Sequence, residues 1–566
     1  MICTKTYQSM MAIMTVVVMA GCTADDYMND ITVREPEQQA PPEGLLSDNV
    51  SEALAAVDGI SDVTIEDKKQ EDGTTERYYF FYVDQPVSHH DKSLGTYKQH
   101  ACLRSKDLTA PVLLYTHGYN MDNKAEDYGI HDIATYLGAS ELYVEHRYFG
   151  NSLPESYESL TFTYLNADEA AHDLDSLLVR LQRTVLKDSK QWVSTGTSKD
   201  GMTTALLAYY ADMYGWNQSG RKDYFKMDLY MPFCAPFLVG TPESCDDPQM
   251  GYYLYHDCGN GYALGSVEEK AWQRLRKIPE AIVLDNDLRE SCLRMYHQTA
   301  PKDYVEVINT FGRDQEKVSA AMLSTYLGCL FTKFSYVPFS EWAHLVPDVD
   351  AATMDAVTEE EAATKAQAIT ALTDFVYMKS DRLSEFLALE NLLDSPGNTQ
   401  ESPSSVPPPH TYTDSEILDY LYSEVQFPYE IQAAKELGNV RFDFSMLDGI
   451  KFSEESTENM GYLALSISKQ FEISTTLAKY ADQWDGGQLM SSFRSWAATQ
   501  TAAKMIFVYQ ANDPWTGGAI NARDDNYVKR FIFKNGAHNH FILNPRYYPE
   551  ADATVLKNAM AAFLNP

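Results

Sequence analysis

Cysteine, glycine and proline are all scarce in this chain, at 8, 29 and 24 of 566 residues. So little glycine and proline excludes a collagenous or low-complexity protein, and 44% hydrophobic residues suffice for a large core. No CxxC pair occurs, which argues against zinc ribbons and thioredoxin chemistry, and HExxH is absent too. The phosphate-loop string GxxxxGK(S/T) is unmatched, although Gly196-Thr197-Ser198-Lys199 resembles part of it superficially. Basic residues are in deficit: Lys+Arg 45 against Asp+Glu 81 gives a formal charge of -36. Such a surface repels nucleic acid phosphates and anionic headgroups, so no nucleic-acid partner is expected. There is no internal repeat.

The first residues read as a targeting segment. Lys5 precedes an apolar run, MMAIMTVVVMA (10–20), that is too short to anchor in a bilayer and has the character of a secretory signal. It ends in Met19-Ala20-Gly21-Cys22, which resembles the lipobox of bacterial lipoproteins, where lipid is attached to the cysteine thiol and its new amino group. An ordinary secreted protein with an accidental Cys22 is the alternative. Asp25 and Asp26 resemble an export tag for the outer face of the outer membrane, and fit a plain solvated linker equally. The expected order is a signal peptide over 1–21 and a flexible, polar tether over 22–44. The folded body would then be extracytoplasmic, touching the membrane through lipid alone. Loss of residues 1–21, whose one charged side chain is Lys5, moves the charge from -36 to -37. Six cysteines remain besides Cys3 and Cys22, namely Cys102, Cys234, Cys245, Cys258, Cys292 and Cys329. Their even number permits disulfides without choosing among pairings.

Downstream, RYYFFYV (77–83) and TYKQHACL (96–103) are rich in β-formers and suggest an antiparallel lead-in. Short apolar runs at 111–118, 141–148, 191–196 and 226–233 then alternate with helical stretches near 125–137, from Asn166 to about Lys187, and from about Gly201. Alternation of this kind predicts a mostly parallel sheet covered on both faces. After Cys234 the pattern turns helical for a long interval, including 268–278 and 359–378, with a Ser/Pro-rich stretch at 395–410. Strand patterns resume at 504–510 and 528–534, followed by a helix near 550–563. We therefore expect a sheet core over 45–237 and 501–566, interrupted by a separate helical cap over 238–500.

Ser198 sits between a strand and a helix in Gly196-Thr197-Ser198-Lys199-Asp200-Gly201, the context of a nucleophile elbow. The fit to G-x-S-x-G is partial, since the fifth position is Asp200. Gly196 and Gly201 can supply the needed space if Asp200 points outward. Asp513 and His538 each follow a late strand, giving the chain order Ser, Asp, His of an α/β-hydrolase core. In that scheme His538 takes the Ser198 proton and Asp513 fixes the imidazole tautomer. His540 is the rival of His538. For an oxyanion the candidate donors are the Lys199 N–H and the Tyr119 N–H, the latter in the His117-Gly118-Tyr119 turn. No cofactor or metal is expected.

Glu145-His146-Arg147-Tyr148-Phe149-Gly150, with Ser152 and Pro154, resembles the E-H-R-Y-(Y/F)-G-x-S-x-P segment of the S28 (prolyl carboxypeptidase-like) and S37 (tripeptidyl aminopeptidase-like) serine peptidases. Asp84-Gln85-Pro86-Val87-Ser88-His89, Gly95-Thr96-Tyr97-Lys98-Gln99, and Gln432 with Glu436-Leu437-Gly438 are similar to further segments of these families. The S37 branch fits better, and Asp200 departs from its usual glycine. The resemblance implies an exopeptidase that releases short peptides, typically tripeptides, from free amino ends beneath a helical cap. It makes Glu145 and Glu436 candidates for pairing with the substrate ammonium, although Glu145 also suits a purely structural carboxylate. An esterase of the same fold, or a non-catalytic binding protein whose elbow Asp200 has disturbed, would carry the same core.

Overall fold

The computed structural model describes residues 49–70, 73–105, 107–153, 162–218, 221, 224–239, 249–285, 288, 326, 330–331, 333–376, 427–438, 483–539 and 541–564. The expected signal peptide, tether and Cys22, the 395–410 stretch, Pro154, His540, Cys245, Cys292 and Cys329 lie outside them. Among the described residues no helix is long and apolar enough to cross a membrane.

Nine strands form one sheet in the order β1-β2-β3-β5-β4-β6-β7-β8-β9. The first three, β1 (Ile60–Lys69), β2 (Thr75–Pro86) and β3 (Thr96–Arg104), run antiparallel, and β3 is antiparallel to β5 (Ser140–Val144). From β5 onward every pairing is parallel, through β4 (Val112–Thr116), β6 (Trp192–Thr197), β7 (Leu229–Phe233), β8 (Met505–Gln510) and β9 (Val528–Phe533). An antiparallel lead-in that feeds a parallel, helix-covered sheet is the α/β-hydrolase architecture expected from the sequence. Every residue of β4, β5, β6, β7 and β8 is buried. That burial needs cover on two faces, and side chains divide by the strand period of two. Met505, Phe507 and Tyr509 enter one apolar cluster, while Ile506 and Val508 enter the other.

Helix α1 (Asn49–Ala55) precedes the sheet, and α2 (Asp132–Leu137) lies on one of its faces. On the opposite face lie α3 (Ala167–Arg183) and α4 (Lys199–Met213). Asn166 caps α3 by accepting from Glu169 N at 2.9 Å, with Asp168 and Glu169 in the first turn and Arg180 and Arg183 in the last, where each charge suits the helix dipole. This helix ends at Arg183, short of Lys187. The helix expected over 125–137 is instead a 3-10 turn at Ala125–Asp127 followed by α2, which His131 starts by accepting from Ile133 N at 3.1 Å. Strand β1 was not anticipated, because its acidic and lysine residues read as loop; they are the charges that suit an exposed sheet edge.

The described helices of the insertion, among them Val267–Leu275, Glu359–Val376 and Gln488–Thr499, pack against the helix layer of the sheet. Phe334, Phe339, Trp342 and Phe493 join the same apolar cluster as α3, α4 and β8. Aromatic side chains this large are buried most economically against the existing helix layer. Cys102, Cys234 and Cys258 are buried free thiols.

Three of the segments that carried the family resemblance, those at 84–89, 95–99 and 145–150, converge on one buried network. Arg147 donates from Nε to Asp173 Oδ2 at 2.7 Å and from Nη2 to Asp173 Oδ1 at 2.9 Å. Its remaining donors reach the carbonyls of Val87, Tyr164 and Pro86. Tyr97 Oη donates to Asp173 Oδ2 and His89 Nε2 lies against Oδ1, both at 2.7 Å. Burial alone would raise the Asp173 carboxyl, but Arg147 and His89 hold it down to about 2. Gln85 donates to Gln99 Oε1 and to the Asp173 carbonyl, and Gln99 donates to the Glu145 carbonyl. Strands β2, β3 and β5 are thereby tied to α3.

Arg147→Met would leave Asp173 buried without its cation, at a cost of about 3–5 kcal/mol. Urea unfolding should show the fall in midpoint, and Arg147→Lys should not restore it, because one ammonium cannot replace the planar fork. An unchanged midpoint in Arg147→Met would show that the network does not hold the fold.

Candidate active site

Ser198 occupies the turn between β6 and α4 with φ 59° and ψ -124°. A positive φ is strained for a residue with a Cβ, and such strain concentrates where function requires it. A Cβ at Gly196 would come 2.5 Å from the Asp200 carbonyl carbon, and one at Gly201 would come 2.8 Å from Phe233 O. Those two glycines therefore give the closeness that the turn needs. Ser198 N donates to Phe233 O at the end of β7, and Cys234 N donates to Val508 O in β8, which ties the carboxyl ends of three parallel strands together.

The expected outward orientation of Asp200 is wrong. Asp200 is buried, its Oδ1 accepts from Gly118 N, and its carbonyl accepts from Thr116 Oγ1 at 3.0 Å. The family's glycine position is thus used to bind the elbow to the His117-Gly118-Tyr119 turn. An inward carboxylate is tolerable there because it faces a backbone donor and has Lys199 beside it. Lys199 Nζ donates to Gly118 O and lies 4.8 Å from the centroid of the Phe149 ring. Burial pushes its ammonium down to about 7 against the attraction of Asp200 and Glu436.

Asp513 and His538 are brought together. His538 Nδ1 is 2.7 Å from Asp513 Oδ2, and Asp513 Oδ1 accepts from Trp515 N at 3.1 Å. Asp513 is fully buried, and His538 Nε2 is buried with no hydrogen-bond partner among the described residues. Gly536 is required behind this pair, since a Cβ there would overlap Gln510 Oε1 at 1.9 Å. Sequence reasoning missed Cys234, which has φ 48°, contacts the Asp513 carboxylate and has its thiol pushed up by burial. The signal available was its place at the carboxyl end of β7, between the strands that carry Ser198 and Asp513.

The candidate oxyanion donors lie on either side of Asp200's bond to Gly118. The Lys199 N–H belongs to the first turn of α4, where N–H groups have no acceptor within the helix. Tyr119 follows Gly118 directly; its carbonyl accepts from His146 N at 3.2 Å and its ring meets Phe149 edge-on.

The two candidate ammonium anchors part company. Both Glu145 oxygens are occupied, Oε1 by Met121 N and Oε2 by Asn151 N and Ser152 Oγ, and burial raises this carboxyl to about 8. Glu145 is therefore a structural carboxylate and is withdrawn as an anchor. In Glu436 both bonds, from Ala167 N at 2.7 Å and Gln432 Nε2 at 2.8 Å, fall on Oε1. Its Oε2 has no hydrogen-bond partner among the described residues, and burial pushes the carboxyl up to about 7. Beside it is a small recess lined by His146, Lys199, Met202, Leu206, Gln432 and Leu437.

If Asp200 positions the Gly118–Tyr119 turn, Asp200→Ala should slow fluorophosphonate labelling of Ser198 by about 10- to 100-fold, as small misplacements of reacting groups do. Asp200→Asn keeps an acceptor oxygen and should retain most of the rate. Equal rates in wild type and Asp200→Ala would remove the positioning role.

The family model of PS-10 peptidase S37 matches residues 47–228. A prolyl tri/tetrapeptidyl aminopeptidase of Streptomyces mobaraensis is 29% identical over 141 residues, which are 25% of this chain and 28% of that protein. The chain thus matches little more than a quarter of that relative's length. Among solved structures, a prohormone-processing carboxypeptidase from Saccharomyces cerevisiae aligns with 86% of this chain and 91% of its own at 8% identity and a TM-score of 0.33. Acetyl xylan esterase 1 from Thermoanaerobacterium sp. aligns with 48% of this chain and 72% of its own at 12% identity and a TM-score of 0.20. The likeness to S37 peptidases seen in the sequence segments is borne out over residues 47–228.

Proposed function

We propose that this chain is a serine exopeptidase that releases short peptides, typically tripeptides, from the free amino ends of oligopeptides. The observation that carries the reading is the buried Asp513–His538 pair, whose imidazole keeps Nε2 without a partner at the end of the sheet where Ser198 is held at positive φ. Ser198 Oγ adds to the scissile carbonyl as His538 Nε2 takes its proton, and Asp513 steadies the imidazolium. The Lys199 and Tyr119 N–H groups receive the developing oxyanion. Collapse breaks the C–N bond, His538 returns the proton to the leaving amine, and water then hydrolyses the acyl-enzyme. The open Oε2 of Glu436 pairs with the substrate ammonium and so restricts cleavage to chain ends. The resemblance to S37 peptidases supports the tripeptide length.

Tripeptidyl-nitroanilides provide the test. Ser198→Ala should abolish turnover, and N-terminal acetylation of the substrate should raise KM sharply. Glu436 becomes protonated below about 7, so KM for the free amine should rise on acidification, and Glu436→Gln should give a high KM without that pH limb. Indifference to acetylation, with acyl esters turned over faster than peptides, would favour an esterase.

We further propose that Cys22 carries lipid and holds the enzyme outside the cytoplasm, on the strength of Met19-Ala20-Gly21-Cys22. Metabolic labelling with an alkyne fatty acid should mark the wild-type chain and spare Cys22→Ala. Equal labelling of both would refute it.

A further inference from the structure

A second concentration of ligand-type side chains lies outside the candidate triad, where the loop after β2 meets the first turns of α3. Asp168 and His172 are four residues apart on α3 and so share a face of the helix. His90 reaches that face from the loop, which is fixed in place. Ser88 Oγ donates to Glu169 Oε1 at 2.6 Å, His89 N donates to Glu169 Oε2 at 2.7 Å, and His90 N donates to Ser88 Oγ at 3.1 Å. His90 Nε2 stands 2.5 Å from Asp168 Oδ2. One ring nitrogen of each histidine and one carboxylate oxygen of Asp168 all lie within 4.8 Å of one another.

These groups have the supporting contacts that a metal site uses. Tyr214 Oη donates to Asp168 Oδ1 at 2.8 Å, leaving the other oxygen directed to His90. His172 Nδ1 is 2.9 Å from the Asp168 carbonyl, which places a proton on Nδ1 and a lone pair on Nε2. The side chains of His90, Asp168 and His172 are 54%, 25% and 18% exposed, so an ion has a path from solvent. Of the two imidazoles, His90 meets the Asp168 carboxylate directly, and His172 Nδ1 lies 3.7 Å from its Oδ1.

We propose that His90, Asp168 and His172 bind a divalent transition ion of the zinc class, with water completing the coordination. Two imidazoles and one carboxylate form the mixed nitrogen and oxygen set that suits zinc, whereas calcium and magnesium favour oxygen alone. This departs from the expectation that the chain takes no metal. The ion does no chemistry on the peptide; it clamps the loop after β2 onto α3, the helix whose Ala167 N–H holds Glu436. The other close group of ligand-type atoms, Cys234 with Asp513 and His538, is buried and belongs to the candidate active site.

The metal-free full chain, titrated with zinc chloride against a chromogenic chelator, should take up one equivalent at micromolar concentration. Zinc should also raise its thermal midpoint by mass action. His90→Ala/His172→Ala should lose both effects, and Tyr214→Phe should weaken binding about 10-fold as loss of an outer-sphere partner does. His90→Gln, at the more exposed position, provides the same comparison if the double variant does not fold. The proposal is overturned if wild type takes up no zinc, if the histidine variants keep its stoichiometry and affinity, or if Cys234→Ser alone removes the equivalent.

Discussion

The Arg147–Asp173 ion pair is the constraint on which the rest of the molecule depends. It lies where an antiparallel lead-in meets a parallel sheet, and both charges are fully desolvated. Such a pair is tolerable only with nearly every donor and acceptor used. Carbonyls before and after β3 and the side chains of Tyr97 and His89 meet that demand. The result is a rigid corner from which α3 and β5 both depart. Glu145, two residues from Arg147, uses its own two oxygens to hold the Met121 and Asn151 segments.

That rigidity is passed to the candidate active site through short contacts. His146, between Glu145 and Arg147, holds the Tyr119 carbonyl, and the turn containing Tyr119 is held in turn by Asp200 from the elbow. Ser198 keeps its strained backbone because Gly196, Gly201 and Phe233 leave no space for another path. Packing therefore sets the candidate groups, with positive φ at both Ser198 and Cys234 beside them.

Much of this was legible in the sequence. The buried strands were visible because β4 to β8 are continuous apolar runs, and α3 was visible because Asn166, Asp168 and Glu169 mark a helix start by side-chain chemistry alone. Ser198, Asp513 and His538 could be read from their positions after strands. What could not be read depended on tertiary partners. The direction of Asp200 is fixed by Gly118, far away in sequence, and the idle Oε2 of Glu436 is evident only once its other oxygen is seen to be taken. Strand β1 hid behind its charges, which are consistent with a loop until the edge of a sheet is there to receive them. Helical periodicity in the insertion likewise reports a buried face without reporting what covers it.

The sheet order has a consequence for how the protein comes into being. Ser198 follows β6, a strand near the middle of the sheet, whereas Asp513 and His538 follow β8 and β9, which occupy its far edge and come later from the ribosome. A chain that has been synthesised only through the insertion already has Ser198, yet has neither Asp513 nor His538. The three candidate groups therefore come together only when β8 and β9 dock beside β7, as the last step of assembling the sheet.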